Sequence, residues 1–156
     1  MLIRYVAAAG PQWERSMRFW LVASMIVAAG AVILAMIVLY FPLRSFRAKY
    51  PVIRSDVDML AFKRLASFQM YVSLAALYLT WVPLLIWIVG KFVLGHLTWL
   101  DGLLFVILPF VIQFVLSGAA IGTAKAVRST PAEGPTLTAE RDRVVDVWVN
   151  KKYPEW

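Results

Sequence analysis

The sequence predicts an all-α membrane protein with three transmembrane helices, of which the second and third form a hairpin, followed by a short C-terminal tail. Residues 65–124 contain only two formal charges, Lys91 and Asp101, and both lie near the middle of the stretch. Three uncharged apolar runs occupy residues 19–41, 65–90 and 102–124. A hydrocarbon core of ~30 Å needs roughly 20 apolar residues in a helix, so each run is long enough to span it. The runs are continuous rather than alternating, which excludes barrel strands.

Composition supports this class and excludes several kinds of site. Of the 156 residues, 62% are hydrophobic, more than in ordinary soluble domains. The net charge is +7, but the cations flank the apolar runs, so we expect anionic lipid headgroups rather than nucleic acid as their partners. The absence of cysteine excludes disulfides, Cys-ligated zinc and iron–sulfur clusters, and the single histidine, His96, excludes a bis-histidine haem within one chain. We predict no cofactor and no metal.

Residues 1–18 form an N-terminal flank before the first apolar run. The small residues Ala7, Ala8 and Ala9 resemble a cleavage site, but they precede the apolar run instead of following it. That run is also longer than the ~7–15 residues of a signal-peptide core. We therefore predict an uncleaved transmembrane helix at residues 19–42, ended by Pro42 because proline disfavours helical geometry in the residue before it.

The first predicted span carries small residues along one helical face. They are Ser24, Ala28, Ala31 and Ala35. Small side chains let two helix backbones approach closely in a membrane, so this face is a candidate packing surface. The alternative is an ordinary alanine-rich span without a partner.

Residues 43–64 are predicted to form a basic amphipathic cytoplasmic loop. Its six cations are candidate contacts for lipid headgroups: Arg44, Arg47, Lys49, Arg54, Lys63 and Arg64. Ser55 is a candidate helix cap, and Asp56 and Asp58 lie where the helix dipole favours carboxylates. The helix that they begin either lies at the headgroups or runs directly into the second span.

The second span, residues 65–90, contains Thr80 and Pro83 on one stripe, which predicts a kink and a face for helix contact. The alternative is a hinge or a cavity lining. Residues 91–101 are the hairpin turn. His96 and Asp101 lie in it outside the hydrocarbon, so we expect solvated side chains there rather than a proton or metal pair.

The third span, residues 102–124, offers the best-supported packing motif. Gly118 and Gly122 form a GxxxG pattern, and Gln113 is the strongly polar side chain near mid-membrane depth. Both suit close helix packing, either within this chain or with a partner.

Residues 125–156 are predicted to form a cytoplasmic linker and a docking tail. The tail is either a short helix capped by Thr138 or an extended segment, because its valines are β-branched while its charged beginning favours a helix. Its candidate docking residues are Val145, Val147, Trp148 and Trp156. We expect them to dock onto a partner or back onto the headgroups.

The distribution of lysine and arginine predicts the orientation. The N-terminal flank and the hairpin turn carry four cations, against eight in residues 43–64 and the start of the tail. The N-terminus and the turn are then outside and the tail is cytoplasmic, most simply in a bacterial inner membrane.

No catalytic or nucleotide motif accompanies these spans. We expect a non-catalytic subunit or assembly (scaffold) factor of a larger membrane complex, whose partners are other integral membrane subunits. The alternative is a small homo-oligomeric channel or transporter. A weaker third hypothesis is a lipid-modifying enzyme that uses His96 and Asp101.

Overall fold

The computed structural model describes residues 12–156, and every regular element in that range is helical. The helices are α1 (Gln12–Lys49), α2 (Asp56–Ile88), α3 (Trp99–Gly102), α4 (Leu108–Arg128) and α5 (Pro135–Asn150), with π-helical turns at Val89–Val93 and Leu103–Ile107. Three continuous helical stretches within the described range are long and apolar enough to cross a membrane: Gln12–Lys49, Asp56–Val93 and Trp99–Arg128. The all-helical class with three such helices is therefore confirmed. The predicted flank at residues 1–11 lies outside the described residues.

Helix α1 does not end at Pro42, so that prediction is wrong. The helix continues to Lys49, although Pro42 has no N–H to donate to the carbonyl one turn earlier. Leu43 and Phe46, in the turn that follows the proline, are 0% and 6% exposed. Burial of these two side chains outweighs the local preference of the proline and keeps the turn helical.

Helix α2 begins as predicted and runs directly into the second span. The Ser55 hydroxyl accepts a hydrogen bond from the Asp58 N–H at 3.2 Å, and the Asp58 carboxylate accepts one from the Ser55 N–H at 3.2 Å. This reciprocal pair satisfies two N–H groups that the first turn leaves without helical partners. The alternative of a separate helix lying at the headgroups is not observed, because α2 continues without a break through Pro83 to Ile88.

The described chain divides into two units, and the first comprises residues 12–32 and 78–112. Its hairpin turn is held by the carbonyl of Gly90, which accepts hydrogen bonds from the N–H groups of His96 at 2.9 Å and Leu97 at 3.1 Å. A Cβ on Gly90 would lie 2.5 Å from the Leu97 side chain, so the close approach needs glycine. Gly95 turns the chain with a φ of +71°, which glycine adopts without steric cost.

The second unit comprises residues 33–77 and 113–156 and contains the main hydrophobic core. All of α1, α2, α4 and α5 contribute to it, and so does the loop residue Ile53. Its buried members are Leu43, Phe46, Ile53, Met59, Phe62, Leu65, Ala66, Met70, Ala124, Val127, Val144, Val147 and Trp148. The tail is thus a fourth packed helix rather than a free extension.

Helix α5 resolves the ambiguity of the tail in favour of a helix. It begins at Pro135 after the N-cap Gly134, so Thr138 is not its cap as the sequence suggested. Val144, Val147 and Trp148 follow the i, i+3, i+4 spacing of one helical face, and all three are buried. Burial of that face prevails over the weak helix propensity of the valines.

Candidate functional site

A cleft of about 470 Å³ opens in the second unit between α1, α2 and α4. Along α4 it extends from Gln113 to Arg128, roughly 22 Å at 1.5 Å per residue. Its apolar walls include Met36 and Leu39 of α1 and Leu74 of α2. The volume falls within the ~300–1,000 Å³ of pockets that hold small molecules.

Polar groups interrupt these apolar walls at several depths. Ser73, Gln113 and Ser117 line the cleft, and the Ser117 hydroxyl lies 3.5 Å from the Met36 sulfur. Gln69 also lines it and is only 8% exposed, yet its Oε1 atom has no hydrogen-bond partner among residues 12–156. A buried polar atom without a partner costs about 1–3 kcal/mol, so Gln69 is an acceptor that a donor in the cleft would satisfy.

One end of the cleft is cationic. Arg128, at the last turn of α4, places its guanidinium over the Trp148 ring, 5.2 Å from the ring centroid. Its Nε atom is buried, and within the described chain it has no hydrogen-bond partner. Lys151 and Lys152 line the same cleft, and Lys151 lies 3.6 Å from the Glu155 carboxylate. Within residues 12–156, no carboxylate is within ion-pair distance of Arg128 or Lys152.

The GxxxG motif lies on the outward side of α4, away from the cleft. Gly118 and Gly122 are both exposed, and a Cβ added to either would meet no other described part of the chain within 4 Å. The inward side of the same helix is formed by Ala120, Ala124 and Val127, which are buried. The alanine face, not the glycine face, therefore packs against the chain's own helices.

The other candidate packing residues divide between the two units. In α1, Ser24 is exposed, Ala28 is buried at 9%, and Ala31 and Ala35 are half-buried. Ala35 packs against a small cluster of Met36, Leu39 and Ala76 in the second unit. In the first unit, Pro83 is buried and Thr80 is half-buried.

The six basic residues predicted to touch headgroups have different surroundings. Arg44, Arg47, Lys49 and Arg64 are exposed. Arg54 donates to Glu133 at 3.0 Å, and Lys63 pairs with Glu140. Arg54 therefore joins the loop after α1 to the segment that leads into α5. Lys63 joins the start of α2 to α5 itself.

The predicted docking residues of the tail pack against this chain's own helices. Val147 and Trp148 are buried, and Trp148 contacts Phe62 with ring centroids 5.8 Å apart. Val145 and Trp156 are partly buried against the same core. The sequence predicted that the tail docks onto a partner or onto the headgroups. In the structure it docks onto the core formed with α1, α2 and α4 of the same chain.

Asp101 is not a solvated turn residue, which corrects the expectation from sequence. It is 5% exposed and forms a capping box with Thr98 at the start of α3, where its carboxylate accepts from the Thr98 N–H and hydroxyl, both at 2.7 Å. It also accepts from Arg18 at 3.1 Å. Its contacts are thus with Thr98 and Arg18, and His96 instead makes an edge contact with Trp13.

Sequence reasoning missed the cleft and its two unpartnered atoms. Gln69 lies in the apolar run of residues 65–90 without a motif, and Arg128 is one of the eight cations that predict the orientation. No group of three His, Cys, Asp or Glu side chains in residues 12–156 is arranged to hold a metal ion. Comparison with protein-family models, with curated proteins and with solved structures finds no match to this chain.

Proposed function

We propose that this chain is a multi-pass membrane protein that acts as a non-catalytic subunit or assembly factor of a larger membrane complex. The observation that carries the proposal is the exposed pair Gly118 and Gly122 on α4. The partner of this face is a helix of another integral membrane subunit.

Glycine destabilises a helix, but it permits a neighbouring helix to approach closely. A glycine inside a helix is about 0.5–1 kcal/mol less favourable than alanine, and neither glycine here makes room for another described part of its own chain. In lipid, helices associate by close backbone packing, which a small-xxx-small face allows. A partner helix packed on this face would explain why both positions are glycine, which the contacts within the described chain do not explain.

We further propose the orientation with the N-terminus and the hairpin turn outside and the tail inside, in a bacterial inner membrane. The excess of lysine and arginine in residues 43–64 and after α4 supports it. The exposed cations Arg44, Arg47 and Arg64 would then face the anionic inner leaflet.

The experiment for the complex is native mass spectrometry of the tagged protein extracted gently from its own membrane. We expect other membrane subunits in a fixed ratio, and we expect the double variant Gly118→Ile and Gly122→Ile to lose them. Open space around both glycines means that the isoleucines should not disturb the chain itself. Gly30→Ile on α1 is the matched control, because Gly30 is also exposed and has open space around it.

Two results would contradict this proposal. Partners retained by the double glycine variant would show that the face is not the interface. A homo-oligomer without other subunits would favour the alternative of a self-associated channel, which flux through the purified protein in liposomes would then test.

The orientation is testable by single-cysteine labelling, because the sequence contains no cysteine. Ser16→Cys and Ser129→Cys introduce exposed thiols before and after the three spans. In intact cells a membrane-impermeant maleimide should label the first variant and spare the second until the membrane is opened. The reverse pattern would exclude this orientation.

A further inference from the structure

The cleft of the second unit has the chemistry of a binding site for one kind of lipid. We propose that it holds an anionic phospholipid with a hydroxyl-bearing headgroup, with the phosphate at Arg128 and Lys152 and an acyl chain along the apolar walls. This inference goes beyond the proposed function, since Gly118 and Gly122 do not line the cleft.

The charge at the cleft determines the sign of the ligand. Arg128 and Lys152 lack carboxylate partners in residues 12–156. Lys151 forms one long ion pair, with its Nζ atom 3.6 Å from the Glu155 carboxylate. The buried Nε of Arg128 is a donor without an acceptor. A phosphate oxygen would accept from this guanidinium in a charge-assisted hydrogen bond, which is stronger than one between neutral groups.

The walls of the cleft determine that the ligand is amphiphilic. Met36, Leu39, Leu74 and Ile121 present apolar surface along helices that also form the three candidate spans. A free phosphate or a small soluble anion would leave this surface uncovered. An acyl chain covers it, and covering apolar surface is favourable roughly in proportion to its area.

Gln69 adds a requirement for a hydrogen-bond donor on the ligand. Its Oε1 atom is buried at the cleft without a donor. The hydroxyls of a glycerol headgroup would supply one, whereas the quaternary ammonium of a choline headgroup has no hydrogen to donate. Phosphatidylglycerol combines an anion, headgroup hydroxyls and acyl chains, so it is the probe for this class of lipid.

The test is titration of the delipidated, purified full-length chain in detergent, with bound lipid counted by native mass spectrometry. The probes are phosphatidylglycerol, phosphatidylcholine with the same acyl chains, and glycerol phosphate without chains. We expect one phosphatidylglycerol to bind at least about tenfold more tightly than phosphatidylcholine. Equal affinity of the two lipids, or binding of glycerol phosphate as tight as that of the lipid, would overturn the proposal.

Charge-removing variants locate the headgroup. Each cation near a lipid phosphate contributes about a factor of five to the affinity. Lys152→Gln alone should therefore weaken phosphatidylglycerol binding about fivefold, and the double variant Arg128→Gln and Lys152→Gln should weaken it about 25-fold. The binding of phosphatidylcholine should change little in both variants. Lys152 is exposed, so its variant should fold normally. Lys125→Gln is the control, because Lys125 is exposed one turn before Arg128 and does not line the cleft. An equal loss with Lys125→Gln would indicate diffuse attraction and overturn the site.

A filling variant locates the acyl chain. Ser73 is exposed and lines the cleft, so Ser73→Phe should obstruct it and reduce the binding of both lipids more than tenfold. Ala75→Phe places the same side chain on an exposed position of α2 that does not line the cleft, and it should bind lipid normally. Unchanged binding by Ser73→Phe would overturn the proposal.

Discussion

Arg18 and Asp101 form an ion pair across 83 residues of sequence, with the Arg18 Nη2 atom 3.1 Å from Oδ1 and 3.3 Å from Oδ2 of the carboxylate. The contact joins the beginning of α1 to the short helix α3 within the first unit. The Asp101 side chain is 7% exposed and that of Arg18 is 52% exposed. The carboxylate therefore depends on its partners more than the guanidinium does.

This asymmetry predicts different effects for the two residues. Asp101→Ala removes the hydrogen bonds to Thr98 together with the ion pair, so we expect a loss of about 1–3 kcal/mol of unfolding free energy. Arg18→Gln removes only a half-exposed partner and should cost less than ~1 kcal/mol. Chemical denaturation in a fixed detergent measures both. Equal losses would mean that the ion pair, not the capping box, stabilises the turn.

A side chain at Gly102 or Gly90 should destabilise the first unit. A Cβ on Gly102 would lie 2.5 Å from the Trp87 ring, and one on Gly90 would meet Leu97 at the same distance. Overpacking of this kind costs about 1–3 kcal/mol, so Gly102→Ala and Gly90→Ala should each lower the midpoint of thermal unfolding. Gly118→Ala is the control and should be neutral or slightly stabilising, because open space surrounds it. A midpoint for Gly102→Ala at or above the wild-type value would contradict the packing described here.

The aromatic contact between Phe62 and Trp148 should dominate the stability of the second unit. Phe62 is fully buried and Trp148 is 8% exposed, so Phe62→Ala or Trp148→Ala should cost about 3–5 kcal/mol. Phe68→Ala removes the same side chain at a position that is 40% exposed on the same helix and should cost much less. The measurement is the rate at which a protease cleaves the C-terminal segment of each variant. Equal protection of Phe62→Ala, Trp148→Ala and Phe68→Ala would contradict the prediction.

The pair Lys63–Glu140 should couple α2 to α5 energetically. Its side chains are 22% and 36% exposed, against 68% and 60% for Arg54 and Glu133. A double-mutant cycle with Lys63→Ala and Glu140→Ala should give a coupling of about 1 kcal/mol, and the cycle for Arg54 and Glu133 should give nearly none. A larger coupling for the exposed pair would reverse this ranking.

The three apolar helices were predictable because hydropathy adds up over some 20 residues and no tertiary contact is needed to detect it. The end of α1 was not, because the turn after Pro42 stays helical through burial of Leu43 and Phe46, which act at a distance in sequence. Thr98 and Asp101 have the three-residue spacing of a capping box, so the sequence does contain a signal for the start of α3.

The cleft could not be predicted, because it depends on how side chains from three helices and the tail meet. Gln69 and Arg128 are separated by 59 positions, and no local pattern relates them. The spacing of Gly118 and Gly122 predicts a packing face, but their position on the exposed side of α4 depends on how the helices pack.

The packing of α5 against earlier helices has a consequence for biosynthesis. Phe62 is translated well before Trp148, and at ~5–20 residues per second the interval is on the order of 4–17 s. During that time the apolar surface around Phe62 lacks α5. The nascent chain therefore completes this core only when α5 emerges, and a ribosome that stalls before Trp148 would leave an open core for quality-control proteases to recognise.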